Sequence, residues 1–212
     1  MYIDTHCHID MFKNPKQVLR DCESNRIITI GMTNLPSHFE MGLSHVQNCN
    51  YVRFSLGLHP LLTERHKGEH IKFKRNVEKT SYIGEVGLDF SKEGISTKEK
   101  QIESFEYVLN EIKGKKKIVS LHSRRAESEV LTYLKKYEIK SAIFHWYSGT
   151  LTNLNEIIEN GYYFSVNTSM INSQSGQKII SMIPPNLLLT ETDAPYTKLS
   201  NRTTKPEDVK YV

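Results

Sequence analysis

Eight short apolar, β-prone runs recur along the 212 residues, separated mostly by stretches of helical period. The runs are 2–9, 26–32, 51–58, 81–88, 117–122, 141–146, 162–166 and 187–190. Between them, 16–24, 37–48, 98–113, 126–137, 151–159 and 177–182 carry apolar residues at helical spacing; Ile102, Phe105, Val108, Leu109 and Ile112 form one such stripe. Residues 63–80 are polar and Lys-rich and predict an irregular or weakly helical excursion. A chain that leaves a strand, crosses the sheet as a helix and returns must re-enter parallel to its predecessor. Eight such units predict an α/β fold, a TIM (β/α)8 barrel formed by a single domain over 1–212, with a doubly wound open sheet as the alternative. Only the polar stretch 196–212 follows the eighth run, so the closing helix is expected to be short or absent. Apolar barrel surface left bare there would call for a protein partner.

Barrel active sites lie at the C-terminal ends of the strands. In this register those ends carry His6 and His8, His59, Glu85, His122, His145 and Asp193. Of nine histidines, five fall on strand ends, while His38, His45, His66 and His70 do not. His6 and His8 are two apart in a strand and therefore share a face, with Asp4 and Asp10 nearby. Imidazole suits Zn²⁺ and Mn²⁺, and carboxylates supply compensating charge, so the set describes a metal site. Cys7 alternates with the two histidines and should point into the barrel–helix packing instead.

A net charge of +4 fits an anionic substrate but is far from the density of a dedicated nucleic-acid binder. Lys113, Lys115, Lys116 and Lys117 precede a strand and belong on the far rim, as a solvated turn; Lys67, Lys72, Lys74 and Arg75 follow a strand and are the better candidates for guiding DNA. Cys7, Cys22 and Cys49 are odd in number and widely spaced, which favours a reducing, cytoplasmic setting. No signal peptide is evident, and no apolar run reaches the ~18–20 residues of a membrane span.

Six stretches taken together resemble the TatD family of metal-dependent deoxyribonucleases, within the amidohydrolase superfamily. They are Asp4-Thr-His-Cys-His8, Gly57-Leu-His-Pro60, Gly84-Glu-Val-Gly-Leu-Asp89, His122-Ser-Arg124, His145-Trp-Tyr-Ser-Gly149 and Glu191-Thr-Asp-Ala-Pro195, in the family's order. The resemblance implies two divalent metal ions, with His6, His8 and Asp193 on the first, His122 and His145 on the second, and Glu85 bridging. It further implies that His59 and Arg124 face the scissile phosphate, that Asp193 is the general base, and that DNA is trimmed from its 3′ end. Histidine ligands favour Zn²⁺ or Mn²⁺, whereas the family implies Mg²⁺. Trp146 and Tyr147 follow a ligand directly and could stack on a base or pack in the core. Two alternatives stay open: an amidohydrolase acting on a non-DNA ester or C–N bond, and a weakly active barrel serving as a subunit of a larger defence or repair complex.

Overall fold

The computed structural model describes residues 1–212 as a ring of parallel strands with helices outside it. The order is β1 (Tyr2–Cys7), α1 (Pro15–Asn25), β2 (Ile27–Gly31), α2 (Pro36–Val46), β3 (Val52–Phe54), β4 (Leu56–Leu58), α3 (Glu69–Asn76), β5 (Tyr82–Gly87) and α4 (Lys98–Ile112). It continues through β6 (Ile118–His122), α5 (Glu127–Lys136), β7 (Ala142–His145), α6 (Leu151–Glu159), β8 (Tyr163–Val166), α7 (Thr168–Ile171), α8 (Gln174–Met182) and β9 (Leu188–Thr190). Strands β1-β2-β3 form one parallel ladder and β4 to β9 a second, each strand pairing with its neighbour in sequence.

The run 51–58, expected as one strand, is two. Ser55 is the hinge: its amide donates to the Gly31 carbonyl at 2.9 Å while its hydroxyl donates to the Gly84 carbonyl at 2.6 Å. One residue thus leaves the β2 ladder and joins that of β5. At the other seam β1 meets β9 through side chains, since Thr5 Oγ1 donates to Thr190 O at 2.9 Å and Thr190 Oγ1 to Ile3 O at 2.5 Å. Just beyond, Asp193 N donates to His6 O at 2.9 Å and His8 N to Ala194 O at 2.8 Å. These bonds bring the first and last strands together, and the fold is an α/β barrel of the TIM kind.

Local chemistry explains the helix ends. Asn14 accepts from Gln17 N with Pro15 at the first helical position, and Arg26 closes α1 in the left-handed region (φ 53°). Val18, Leu19 and Cys22 of α1 are buried, the face the sequence pattern selects. The excursion at 63–80 contains a true helix, α3, whose Phe73 is buried; Lys72, Lys74 and Arg75 mask this single buried apolar anchor in the sequence. Helix α8 starts earlier than 177 because Ser173 caps it through Gly176 N. Residues 196–212 form no α-helix. Instead a hairpin, β10 (Lys198–Leu199) with β11 (Arg202–Thr203), leads into a 3-10 turn, Pro206–Tyr211, which packs on β1 and α1. Arg202 grips Asp208 with two bonds of 2.6 Å, and Val209 is buried beneath. No helix is long and apolar enough to cross a membrane.

Candidate metal centre and its cavity

Strand alternation does the first sorting. Asp4, His6 and His8 turn inward from β1, whereas Cys7 is fully buried on the other side with its Sγ 3.5 Å from Ala194 O. Glu85 on β5, His122 and His145 at the ends of β6 and β7, and Asp193 just after β9 converge on the same space. Glu85 stands at its centre. One of its oxygens lies 2.7 Å from His122 Nδ1 and 3.0 Å from His145 Nε2. The other lies 3.3 Å from His8 Nε2, 3.3 Å from His59 Nε2 and 3.7 Å from His6 Nε2. Asp193 Oδ1 is 3.8 Å from His6 Nε2 and 3.6 Å from His8 Nε2.

Backbone constraints hold these groups in place. Trp146 (φ 39°) and Asp193 (φ 47°) sit in the left-handed region, which non-glycine residues seldom occupy away from functional sites. Gly87 (φ 137°) passes so close to β6 that a Cβ would stand 2.0 Å from the His122 carbonyl oxygen. Asp4 is buried and accepts from His6 N, Thr192 N and Thr192 Oγ1, which ties β1 to the loop bearing Asp193.

Three of the second ring nitrogens face polar groups, two of them within hydrogen-bond distance. His6 Nδ1 faces Ser120 Oγ at 2.8 Å, His122 Nε2 faces Asp89 Oδ2 at 2.8 Å, and His145 Nδ1 faces Glu191 Oε1 at 3.6 Å. Glu191 is itself held by Ser165 and by Asn167 Nδ2 at 2.8 Å. From the sequence, Glu191 stands only as part of a motif with no role of its own, and Ser120 does not stand out. The signal for Glu191 was present, because it stands two residues before Asp193, the spacing that singles out His6 and His8. Ser120 is two before His122 by the same logic. Asp89, which closes the Gly84–Asp89 motif, is fully buried against His122.

Electrostatics and unmet bonding agree on what the space suits. Burial, helped by neighbouring His145, lowers His6 to about 3, and burial pushes Asp193 up to about 7. Burial also opposes charge on His122, but Asp89 and Glu85 outweigh it and raise that ring to about 9. His6 Nε2 and His8 Nε2 face each other at 3.2 Å, and His8 Nδ1 and His145 Nδ1 are buried with no hydrogen-bond partner. The raised His122 shows that the carboxylates favour positive charge in this space, and with that charge supplied by a cation the inward ring nitrogens and carboxylates form a donor set for it. Three groupings have their donor atoms within 4.8 Å of one another: His6–His8–Asp193, His6–Glu85–His145 and His59–Glu85–His122. The residues present fit divalent metal.

The centre opens into a cavity of about 770 Å³. His59 and Arg124 both line it, His59 deep beside Glu85 and Arg124 on the rim, half exposed and 3.2 Å from Glu93. Trp146 lines the wall, while Tyr147 is a core residue whose hydroxyl donates to Thr150 O at 2.6 Å. Tyr196, not singled out in the sequence, stands edge-on to His8 with ring centres 5.1 Å apart. Lys67, Lys72, Lys74 and Arg75 are absent from the lining, and Lys72 and Arg75 are engaged at 2.6 Å by Glu69 and Glu40.

Human deoxyribonuclease TATDN3 is 28% identical over 213 residues, covering 91% of this chain and 77% of that protein. The 3′-5′ ssDNA/RNA exonuclease TatD of Erwinia amylovora is 27% identical, covering 84% of this chain and 71% of its own length. Among solved structures, the TatD homologue YJJV of Escherichia coli superposes with a TM-score of 0.86 at 25% identity, covering 98% of this chain and 86% of that one. The family model described as TatD related DNase matches residues 3–212, from the Asp4–His8 strand through Asp193 to the last residue, and the chain therefore belongs to this family of metal-dependent hydrolases.

Proposed function

We propose that the protein is a deoxyribonuclease that trims DNA from its 3′ end with two divalent ions. The observation that carries this reading is the placing of Glu85, one buried carboxylate ringed by five imidazoles on the floor of a cavity wide enough for a nucleotide. In this reading His6, His8 and Asp193 would hold one ion, His122 and His145 would hold the other, and Glu85 would be shared between them. When bound, such a pair stabilises charge on a phosphodiester and lowers the pKa of a water nucleophile; Zn²⁺, Mn²⁺ and Mg²⁺ are the candidates.

The chain's own groups do the rest. Asp193 accepts the proton of the attacking water as general base. It is fixed for that task by its amide bond to His6 O at 2.9 Å and by Tyr196 N, which donates to its carbonyl at 2.8 Å. Arg124 offers a planar donor fork to phosphate oxygens from the rim, and His59 reaches the phosphate from the floor. Trp146 and Tyr196 flank the opening as surfaces on which an unpaired base can stack. Polarity of digestion follows the exonuclease relative, and a phosphodiester substrate follows the family.

End-labelled single- and double-stranded DNA tests this directly, with wild type, wild type plus chelator, and Asp193→Asn. The expected result is a ladder growing from the 3′ end that chelator abolishes and Asp193→Asn slows by roughly 10²–10⁴-fold. Wild type that binds metal stoichiometrically yet cleaves no DNA with Mg²⁺, Mn²⁺ or Zn²⁺ would overturn the reading and redirect the search to another ester or a C–N bond.

A further inference from the structure

His66 lies outside the cavity, yet it is buried and engaged on both ring nitrogens. Its Nε2 is 3.1 Å from the carbonyl oxygen of His59, and its Nδ1 is 2.7 Å from Ser104 Oγ on α4. A carbonyl can only accept, so Nε2 carries the hydrogen, and Nδ1 is left to accept from the serine hydroxyl. Burial lowers the ring to about 4, which keeps it in that neutral form. The His59 carbonyl is then bonded twice, by His66 and by Leu62 N at 3.0 Å. These bonds anchor the turn Pro60–Arg65 to helix α4.

The same accounting fixes the ring of His59. Leu61 N donates to its Nδ1 at 3.2 Å, and its own amide donates to Asn34 O at 2.9 Å. The neutral ring must therefore carry its hydrogen on Nε2, the nitrogen that faces Glu85 from 3.3 Å. A nitrogen bearing hydrogen has no lone pair for a cation. Proximity alone groups His59 with Glu85 and His122, but its bonding makes it a donor.

We infer that His66, backed by Ser104, is a positioning residue: it braces the turn that carries His59, so that His59 presents an N–H donor to an anionic oxygen of the substrate and does not serve as a further metal ligand. The identity of that oxygen as a phosphodiester rests on the nuclease reading above; the brace and the orientation of His59 do not.

The test uses the full chain with His66→Leu, His66→Gln, Ser104→Ala, His59→Ala and the double variant His59→Ala/His66→Leu. Imidazole ¹⁵N NMR reads the tautomer of His59, which is expected as Nε2–H in wild type and as a mixture in His66→Leu. On end-labelled DNA, His66→Leu is expected to raise KM roughly 5- to 10-fold, the loss of about one hydrogen bond, with kcat and bound metal little changed. His66→Gln, which keeps a donor for the His59 carbonyl, should recover most of the loss, and Ser104→Ala should show a smaller shift in the same direction. In the His59→Ala background, His66→Leu should add nothing. Additive effects, loss of metal in His66→Leu, or an Nδ1–H tautomer of His59 in wild type would overturn the inference. Should His66→Leu fail to fold, Ser104→Ala and His66→Gln decide the question. Should wild type cleave no DNA, the nuclease reading falls, and the NMR result still judges the brace.

Discussion

The two rims of the barrel are both rich in charge, and they use it in opposite ways. On the N-terminal rim Lys115 meets Glu78 at 2.6 Å, and Lys117 Nζ caps the carbonyls of Val77 at 2.6 Å and Thr80 at 2.8 Å. Glu78 is exposed, and water is at hand for whatever the pairs leave unmet. On the C-terminal rim Glu85, Asp193 and five histidines crowd together almost without solvent, and two ring nitrogens have no partner. The first arrangement is complete as it stands. The second is complete only with added positive charge, because burying carboxylates and lone pairs without compensation costs several kcal/mol. Charge density marks neither rim as a site; burial with unmet bonding does.

Glu85→Gln should break the contrast most completely. The amide keeps the shape but removes the central charge and one acceptor, so metal binding and at least about 10³-fold of activity should be lost. Added metal should raise the Tm of wild type in a concentration-dependent way and leave Glu85→Gln unmoved. An unchanged metal titration in this variant would remove Glu85 from the centre of the site.

Next in size is Gly87→Ala. Its φ of 137° is open only to glycine, and the new methyl would press on the His122 carbonyl. A loss of roughly 2–4 kcal/mol in denaturant unfolding is expected, along with weakened metal binding, because the residue that must yield carries His122. Asp89→Asn should leave stability nearly intact while lowering metal affinity roughly 10- to 100-fold, the usual consequence of unsettling the partner of a ligating imidazole. An affinity equal to wild type would mean that Asp89 does not set the orientation of His122.

How much of this could be read from the chain alone follows from the length scale of each signal. Strand runs and strand-end polar residues are local, so the order of elements and the converging set His6, His8, Glu85, His122, His145 and Asp193 were legible. Register in three dimensions is not local. Nothing in the run 51–58 announces that Ser55 divides it, because the cause is carbonyls of Gly31 and Gly84 supplied by two other strands. Likewise Glu191 earns its place by facing His145 from two strands away, and His66 by meeting a helix about forty residues onward. Helix α3 was legible only as an irregular or weakly helical excursion, because one buried phenylalanine among lysines makes a weak amphipathic pattern.

His66 also offers a pH probe away from the metal centre. Its ordinary value is 6.5 and its folded value about 4, so the folded protein disfavours its protonation. The corresponding stability is fully present above pH 6.5 and is lost as pH falls through the window down to 4, amounting to about 3 kcal/mol. Unfolding curves for wild type and His66→Gln should therefore converge as pH falls from 6.5 to 4. Parallel curves would show that the ring is protonated as readily in the fold as out of it.

The smallest effect is expected at the opposite rim, and its smallness is the point. Lys115→Ala removes the shortest ion pair of that surface, but the pair is solvent-exposed and its desolvation is slight. Such exposed pairs contribute little to stability and fade with salt. The variant should melt within a degree or two of wild type, and its salt dependence of DNA binding should be unchanged, because neither lysine nor glutamate approaches the cavity. A marked loss of DNA affinity in Lys115→Ala would mean that substrate reaches the N-terminal rim, and the division of labour between the two ends of the barrel would have to be redrawn.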